Sequence, residues 1–147
     1  MIALSRGKRP TVDRILVATD RSDSADRAVE WAADMATRYD SELLLLQVLG
    51  DASEDAFGEA LSALARLSEG LPAPRTRVQI VVDPDPARAI VEAAEQDGTD
   101  VLVVGSIGMS GRKEFLLGNV PNRVSHNAPC TVVIVNTRVQ KPSLFKR

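Results

Sequence analysis

Glycines at 105, 108 and 118, serines at 106 and 110, and an asparagine at 119 form the group of residues in this chain best suited to chemistry. They follow the apolar run Val101-Leu102-Val103-Val104 and lead into a segment of helical character that starts near Asn119. Where a strand ends in glycine, backbone amides can approach an anion with no side chain in the way. The unpaired amides of the next helix's first turn add a positive pole. The spacing therefore predicts a seat for phosphate, with Ser106 and Ser110 as hydroxyl donors. A plainer reading stays open: the glycines make surface turns and Asn119 is an ordinary N-cap. Arg112 and Lys113 either fold over phosphates as charged donors or keep their loop solvated.

Other phosphate motifs do not fit. The chain has no Gly-x-x-x-x-Gly-Lys-Ser/Thr, and its first strand runs into Thr19-Asp20-Arg21-Ser22 instead of a dinucleotide-binding glycine turn. Asp20 is the carboxylate that the pattern places at a strand's carboxyl end. It can accept from a ribose hydroxyl, hold a divalent cation that bridges to phosphate, or simply close an Asx turn. His126, before Asn127-Ala128-Pro129, reads as a helix-end residue facing the negative pole of its helix. Cys130 reads as a strand-start thiol in apolar surroundings. No nucleophile-base-acid arrangement or metal-ligand cluster emerges from the spacing, so no catalytic residue is assigned.

The elements that must position these residues alternate along the chain. Strand-like runs lie at Val12 to Thr19, Leu43 to Leu49, Arg77 to Val82, Asp100 to Val104 and Thr131 to Val135. Between them, Ala28, Ala32, Met35 or Ala36 and Tyr39 recur at helical spacing after a cap at Ser22 or Asp23. Phe57, Leu61, Leu64 and Leu67 form a second stripe, closed by Gly70-Leu71-Pro72-Ala73-Pro74. Asp85 as cap with Pro86 in the first turn opens a third helix that Gly98 closes. A fourth helix spans roughly Asn119 to His126, with Val120 and Val124 on one face.

Strand and helix alternating at this spacing predict a mostly parallel sheet with helices on both faces. Ligands of such sheets sit beside the carboxyl ends of the strands, where the strand order reverses. If the first and fourth strands are neighbours there, Asp20 and Gly105 face one crevice, and Asp83-Pro84 lies farther out on the same rim.

At 147 residues the chain fits one domain, over 12–136, between an N-terminal tail (1–11) and a basic C-terminal tail (137–147). Eighteen basic and 20 acidic residues give a formal charge of −2, which argues against a binder of nucleic-acid backbone. One cysteine excludes an intrachain disulfide framework, and no apolar run is long enough to span a bilayer; the cytoplasm is the expected compartment, with no membrane contact.

Several spaced matches resemble the universal stress protein family. They are Ile15-Leu16-Val17-Ala18-Thr19-Asp20-Arg21-Ser22, Pro86-Ala87-Arg88-Ala89-Ile90, Asp100 to Ser106, the glycine spacing of Gly105, Gly108 and Gly118, and His126 to Val132. The resemblance covers about Val12 to Asn136. It implies an open five-stranded parallel α/β sheet of order 3-2-1-4-5, of the adenine nucleotide alpha hydrolase-like type. It also implies a homodimer paired through the last strand, Val132 to Val135. It further implies a stress-response or regulatory role with bound ATP, ADP or AMP, Mg²⁺ at Asp20, and at most slow ATP hydrolysis. Carried over by position, the nucleotide contacts are Ala18, Asp20, Val48, Gly105, Ser106, Gly108, Gly118, Asn119 and Val120. Two positions depart from the pattern: Asn119 stands where the motif has Ser or Thr, and Pro121 where nucleotide binders carry Ser, Thr or Ala. These departures keep a second reading in play, a dimeric protein-interaction module of the same fold that binds no nucleotide.

Overall fold

The computed structural model describes residues 11–106 and 119–137. Within them the chain runs β1 (Arg14–Ala18), α1 (Asp23–Tyr39), β2 (Glu42–Leu49), α2 (Glu54–Glu69), β3 (Arg75–Val82), α3 (Pro86–Asp97), β4 (Val101–Gly105), α4 (Val120–Asn127) and β5 (Thr131–Val135). All strand pairs are parallel and the order is β3-β2-β1-β4-β5. This is the order the family resemblance implies, and it makes β1 and β4 neighbours, with Leu16 opposite both Leu44 and Leu102.

The three inner strands are apolar at nearly every position because both faces are covered. Ile15, Val17, Leu43, Leu45, Val101 and Val103 pack under α1 and α2, whose Ala28, Ala32, Ala36, Ala60 and Leu64 are buried there. Leu16, Ala18, Leu44, Leu46, Leu102 and Val104 pack on the other face against Ile90 and Ala94 of α3 and Val120 and Val124 of α4. The alanines of α1 and α3 let the helix axes lie close to the sheet.

Helix ends follow sequence chemistry. Ser22, Ser53 and Asp85 cap α1, α2 and α3 by accepting from Ala25, Ala56 and Arg88 amides, and Gly98 ends α3 with φ 65°. Two expected core stripes need correction. Tyr39 is 53% exposed, because it occupies the last turn of α1, where the chain already bends away through Asp40. Phe57 and Leu61 are 37% and 38% exposed, because α2 presents Ala60, Leu64 and Leu67 to the sheet instead. The strand and helix limits otherwise differ from the expected ones by one or two residues, as ends of elements do.

Candidate functional site

The strand order reverses at β1, since β2 and β3 lie to one side and β4 and β5 to the other. The crevice beside the carboxyl ends of β1 and β4 is therefore the topological switch point. Its first wall is the turn after Ala18. Thr19 is fully buried, donates its amide to Leu46 O at 2.9 Å and accepts the Arg21 amide on Oγ1 at 2.9 Å. Asp20 follows, and its Oδ1 accepts the Ser22 amide at 2.9 Å, which closes an Asx turn, one of the three roles its position allows. That leaves its second oxygen. Asp20 Oδ2 is buried and has no hydrogen-bond partner. A buried carboxylate oxygen without a donor is costly, and a ligand hydroxyl or a cation would satisfy it.

Backbone groups complete the walls. In a parallel strand, alternate residues bond to opposite neighbours. Leu46 O bonds toward β1 and Leu49 O toward β3, so Val48 turns its N–H and C=O to the β1 side, past the point where β1 ends. Likewise Ser106 N bonds Val135 O of β5 at 2.8 Å, so Gly105 turns its peptide groups toward β1 and the crevice. Ala18, Asp20, Val48, Gly105 and Ser106 thus share one rim.

The α4 helix starts at the same end of the sheet. Asn119 precedes it but its side chain makes no capping hydrogen bond, and the first turn holds no acidic residue. Asn119 is therefore not the side-chain cap that its residue type suggests. Unlike α1, α2 and α3, this helix does not satisfy a leading amide with its own cap. Val120 and Pro121 are buried against the sheet and fix the first turn. Gly108 and Gly118, with Ser110, Arg112 and Lys113, lie outside the described residues.

Gly105 has a structural role besides. A Cβ added there would meet Thr137 Cγ2 at 2.8 Å, closer than atoms tolerate. Thr137 is buried, and its amide donates to Ser106 Oγ at 3.1 Å. The chain after β5 is thereby fastened over the end of β4. Ser106 spends one lone pair on that amide and keeps its hydroxyl proton to donate.

Three further features of the site escaped the sequence reading. Thr137 gave no signal, being one threonine after a strand. Gln47 does carry a signal, as the one polar residue inside the run Leu43 to Leu49: it is buried and accepts from Arg21 Nε at 2.9 Å. Asp85 and Arg123 are 38 positions apart, and only the fold joins them. Arg123 in the first turn of α4 donates twice to Asp85, at 2.9 and 3.0 Å, while Arg88 pairs with Asp83 at 2.8 Å. The Arg123 guanidinium holds the Asp85 carboxyl below the ordinary range, and the Asp85 amide does the same for Asp83 with help from Arg88. This chain of contacts runs from Leu49 O through Asp83 and Asp85 to α4.

Residues away from the crevice behave as simpler groups. His126 lies in the last turn of α4, at the opposite end from the crevice. Cys130 packs beside the α3 and α4 layer, and burial pushes its thiol up, with Asp100 adding to the effect, so it is protonated at neutral pH. Among the described residues there is no group of three or more His, Cys, Asp or Glu side chains placed to hold a metal, and no helix long and apolar enough to cross a membrane.

Comparison with known proteins agrees with this geometry. Residues 11–136 match the model of the universal stress protein family. The chain is 28% identical over 145 residues to universal stress protein YxiE of Bacillus subtilis, covering 84% of this chain and 98% of that protein. It is 32% identical over 141 residues to universal stress protein Rv1636 of Mycobacterium tuberculosis, covering 84% and 95% of the two chains. Among solved structures, a universal stress protein in complex with cAMP superposes with a TM-score of 0.70 at 28% identity, covering 86% of this chain and 98% of that one. With the sheet order, the switch-point crevice and a family match across nearly all of the described residues, the chain belongs to the universal stress protein family.

Proposed function

We propose that this chain is a stress-response or regulatory protein that binds an adenine nucleotide (ATP, ADP or AMP) in the crevice between β1 and β4. The observation that carries the reading is the buried, unpartnered Oδ2 of Asp20 at the switch point. In this reading the base meets the backbone of Val48. Asp20 takes a ribose hydroxyl or a Mg²⁺ ion that also holds phosphate oxygens, and one carboxylate plus phosphate is an ordinary Mg²⁺ ligand set. The phosphates lie against Gly105, Ser106, Asn119 and Val120, with Gly108 and Gly118 completing the seat. The cAMP held by a relative 28% identical supports an adenine nucleotide as the ligand class. His126 is remote from the crevice, so no histidine base serves a phosphate bound there, and ATP hydrolysis is at most slow.

The test is isothermal titration of nucleotide-stripped protein with ATP, ADP and AMP, each with and without Mg²⁺. Saturable binding of at least one is expected. No heat with any of them, and an unshifted melting temperature, would overturn the reading.

A second reading, the dimeric interaction module, draws on two observations. The steric need of Thr137 accounts for Gly105 without any phosphate. The β5 edge also suits pairing with a second copy: Val132 to Val135 is apolar throughout and Ile134 is 46% exposed. The opposite edge, β3, carries Arg75 and Arg77, and such charges block strand addition. A homodimer through β5 is compatible with either reading.

A further inference from the structure

The turn that carries Asp20 also holds the next residue, Arg21, in an uncommon backbone conformation. Two non-glycine residues among those described have a left-handed backbone, Asp40 at φ 57° and Arg21 at φ 66°. Asp40 is the C-cap of α1, an ordinary place for that conformation, and Asp tolerates it. Arg21 ends no helix. It is forced over by two overlapping hydrogen bonds, Arg21 N to Thr19 Oγ1 and Ser22 N to Asp20 Oδ1. Strain of this kind persists where surrounding structure over-determines it, and it concentrates at functional sites.

Arg21 is also exposed, yet its guanidinium is not left to solvent. Nε donates to Oε1 of Gln47, a buried residue on the strand next to β1, immediately before Val48. The side chain therefore reaches from the end of β1 to the end of β2, on the Val48 side of the crevice, and its two terminal nitrogens remain as a fork. The side of the sheet on which it does so can be read from the strands. Gln47 alternates with Leu43 and Leu45, which face α1, whereas α4 packs on the opposite face with Leu44 and Leu46. Arg21 thus lies on the β2 side of the crevice, beside Val48, and on the sheet face opposite α4.

We infer that Arg21, tethered by Gln47, covers the base of the bound nucleotide, stacking its planar guanidinium on the ring. This rests on the nucleotide reading above. It differs from a phosphate contact in a measurable way, because its contribution is the same however many phosphates the ligand carries.

The experiment is titration of the full chain with adenosine, AMP, ADP and ATP, for wild type, Arg21→Gly and Arg21→Lys, with thermal melts of each. Arg21→Gly should weaken all four ligands by one common factor, roughly three- to tenfold, while its melting temperature holds or rises because glycine accepts the left-handed backbone. Arg21→Lys should not restore affinity, since lysine has no planar fork. Gln47→Leu, which removes the tether but fills the space, should lose part of the same factor. A loss that grows with phosphate number, unchanged affinity in Arg21→Gly, or full rescue by lysine would each overturn the inference and leave the nucleotide reading standing. Absence of binding by wild type to all four ligands would overturn both.

Discussion

At the scale of single residues, the site turns on where a polar atom or a methyl group is left without an ordinary place. Asp20 uses one carboxylate oxygen to shape its turn and buries the other with no partner. Asp20→Asn preserves the turn acceptor and removes the charge, which separates the two roles. If the free oxygen meets Mg²⁺, ATP binding in Mg²⁺ should weaken by about tenfold, in keeping with the loss of a charged partner, and change little with chelator present. An equal loss in both titrations would assign the oxygen to ribose instead. Gly105 shows the opposite situation, an atom that cannot be added. Gly105→Ala should cost about 1–3 kcal/mol in urea unfolding, the range for forced overpacking, because its Cβ would press on Thr137 Cγ2. Adding Thr137→Ser deletes that methyl and should recover part of the loss. No recovery would mean that the cost of alanine arises in the loop backbone.

At the scale of elements, α3 and α4 are joined by charge at the end that faces the crevice. Asp85 caps α3 and takes two hydrogen bonds from Arg123 of α4, so one carboxylate sets the first turn of one helix and ties it to the next. Its pKa and that of Asp83 are lowered in the folded protein, by the Arg123 and Asp85-amide hydrogen bonds respectively. The stability they give is present above the unfolded carboxylate value and lost as pH falls through the lower folded one. Asp26 works in the other direction: burial, then repulsion from Asp23 and Glu30, raises its pKa, so its charged form opposes folding and acidification relieves it. In thermal melts between about pH 6 and pH 2, Asp85→Asn should flatten the acid limb, since asparagine keeps the cap but cannot lose a charge. Near neutral pH it should cost roughly 0.2–1 kcal/mol, the worth of an exposed pair. An acid limb identical to wild type would show that this pair carries none of the pH dependence.

At the scale of the whole molecule, the two sheet edges are built differently. The β3 edge is blunted by Arg75 and Arg77, while β5 offers an almost uninterrupted apolar strand. Thr137, just beyond β5, is fastened to Ser106, so the β5 edge and the Gly105-Ser106 turn are one mechanical unit. Ile134→Glu places a charge on the exposed side of that edge and should convert a β5-paired dimer to monomer in sedimentation equilibrium. A dimer of unchanged strength would move the interface elsewhere. If the dimer is lost, nucleotide affinity measured on the monomer tests whether strand pairing also steadies the Gly105-Ser106 turn.

The sequence by itself determined the alternation of strands and helices and three of the caps. These depend on local chemistry: runs of apolar residues, a serine or aspartate before a helical stripe, a proline in a first turn. It also placed Asp20 and Gly105 at strand ends. The residue pattern left open whether β1 and β4 adjoin; the family resemblance implied it, and the tertiary structure brings the two strand ends into one crevice. It decided which side of α2 is buried, leaving Phe57 and Leu61 outside, because helical spacing defines a stripe but only the sheet beneath chooses its orientation. It alone joined Arg21 to Gln47, Arg123 to Asp85 and Thr137 to Gly105. Each of those pairs is separated by 26 or more positions, and no periodicity along the chain encodes a contact that exists only once the strands have found their register.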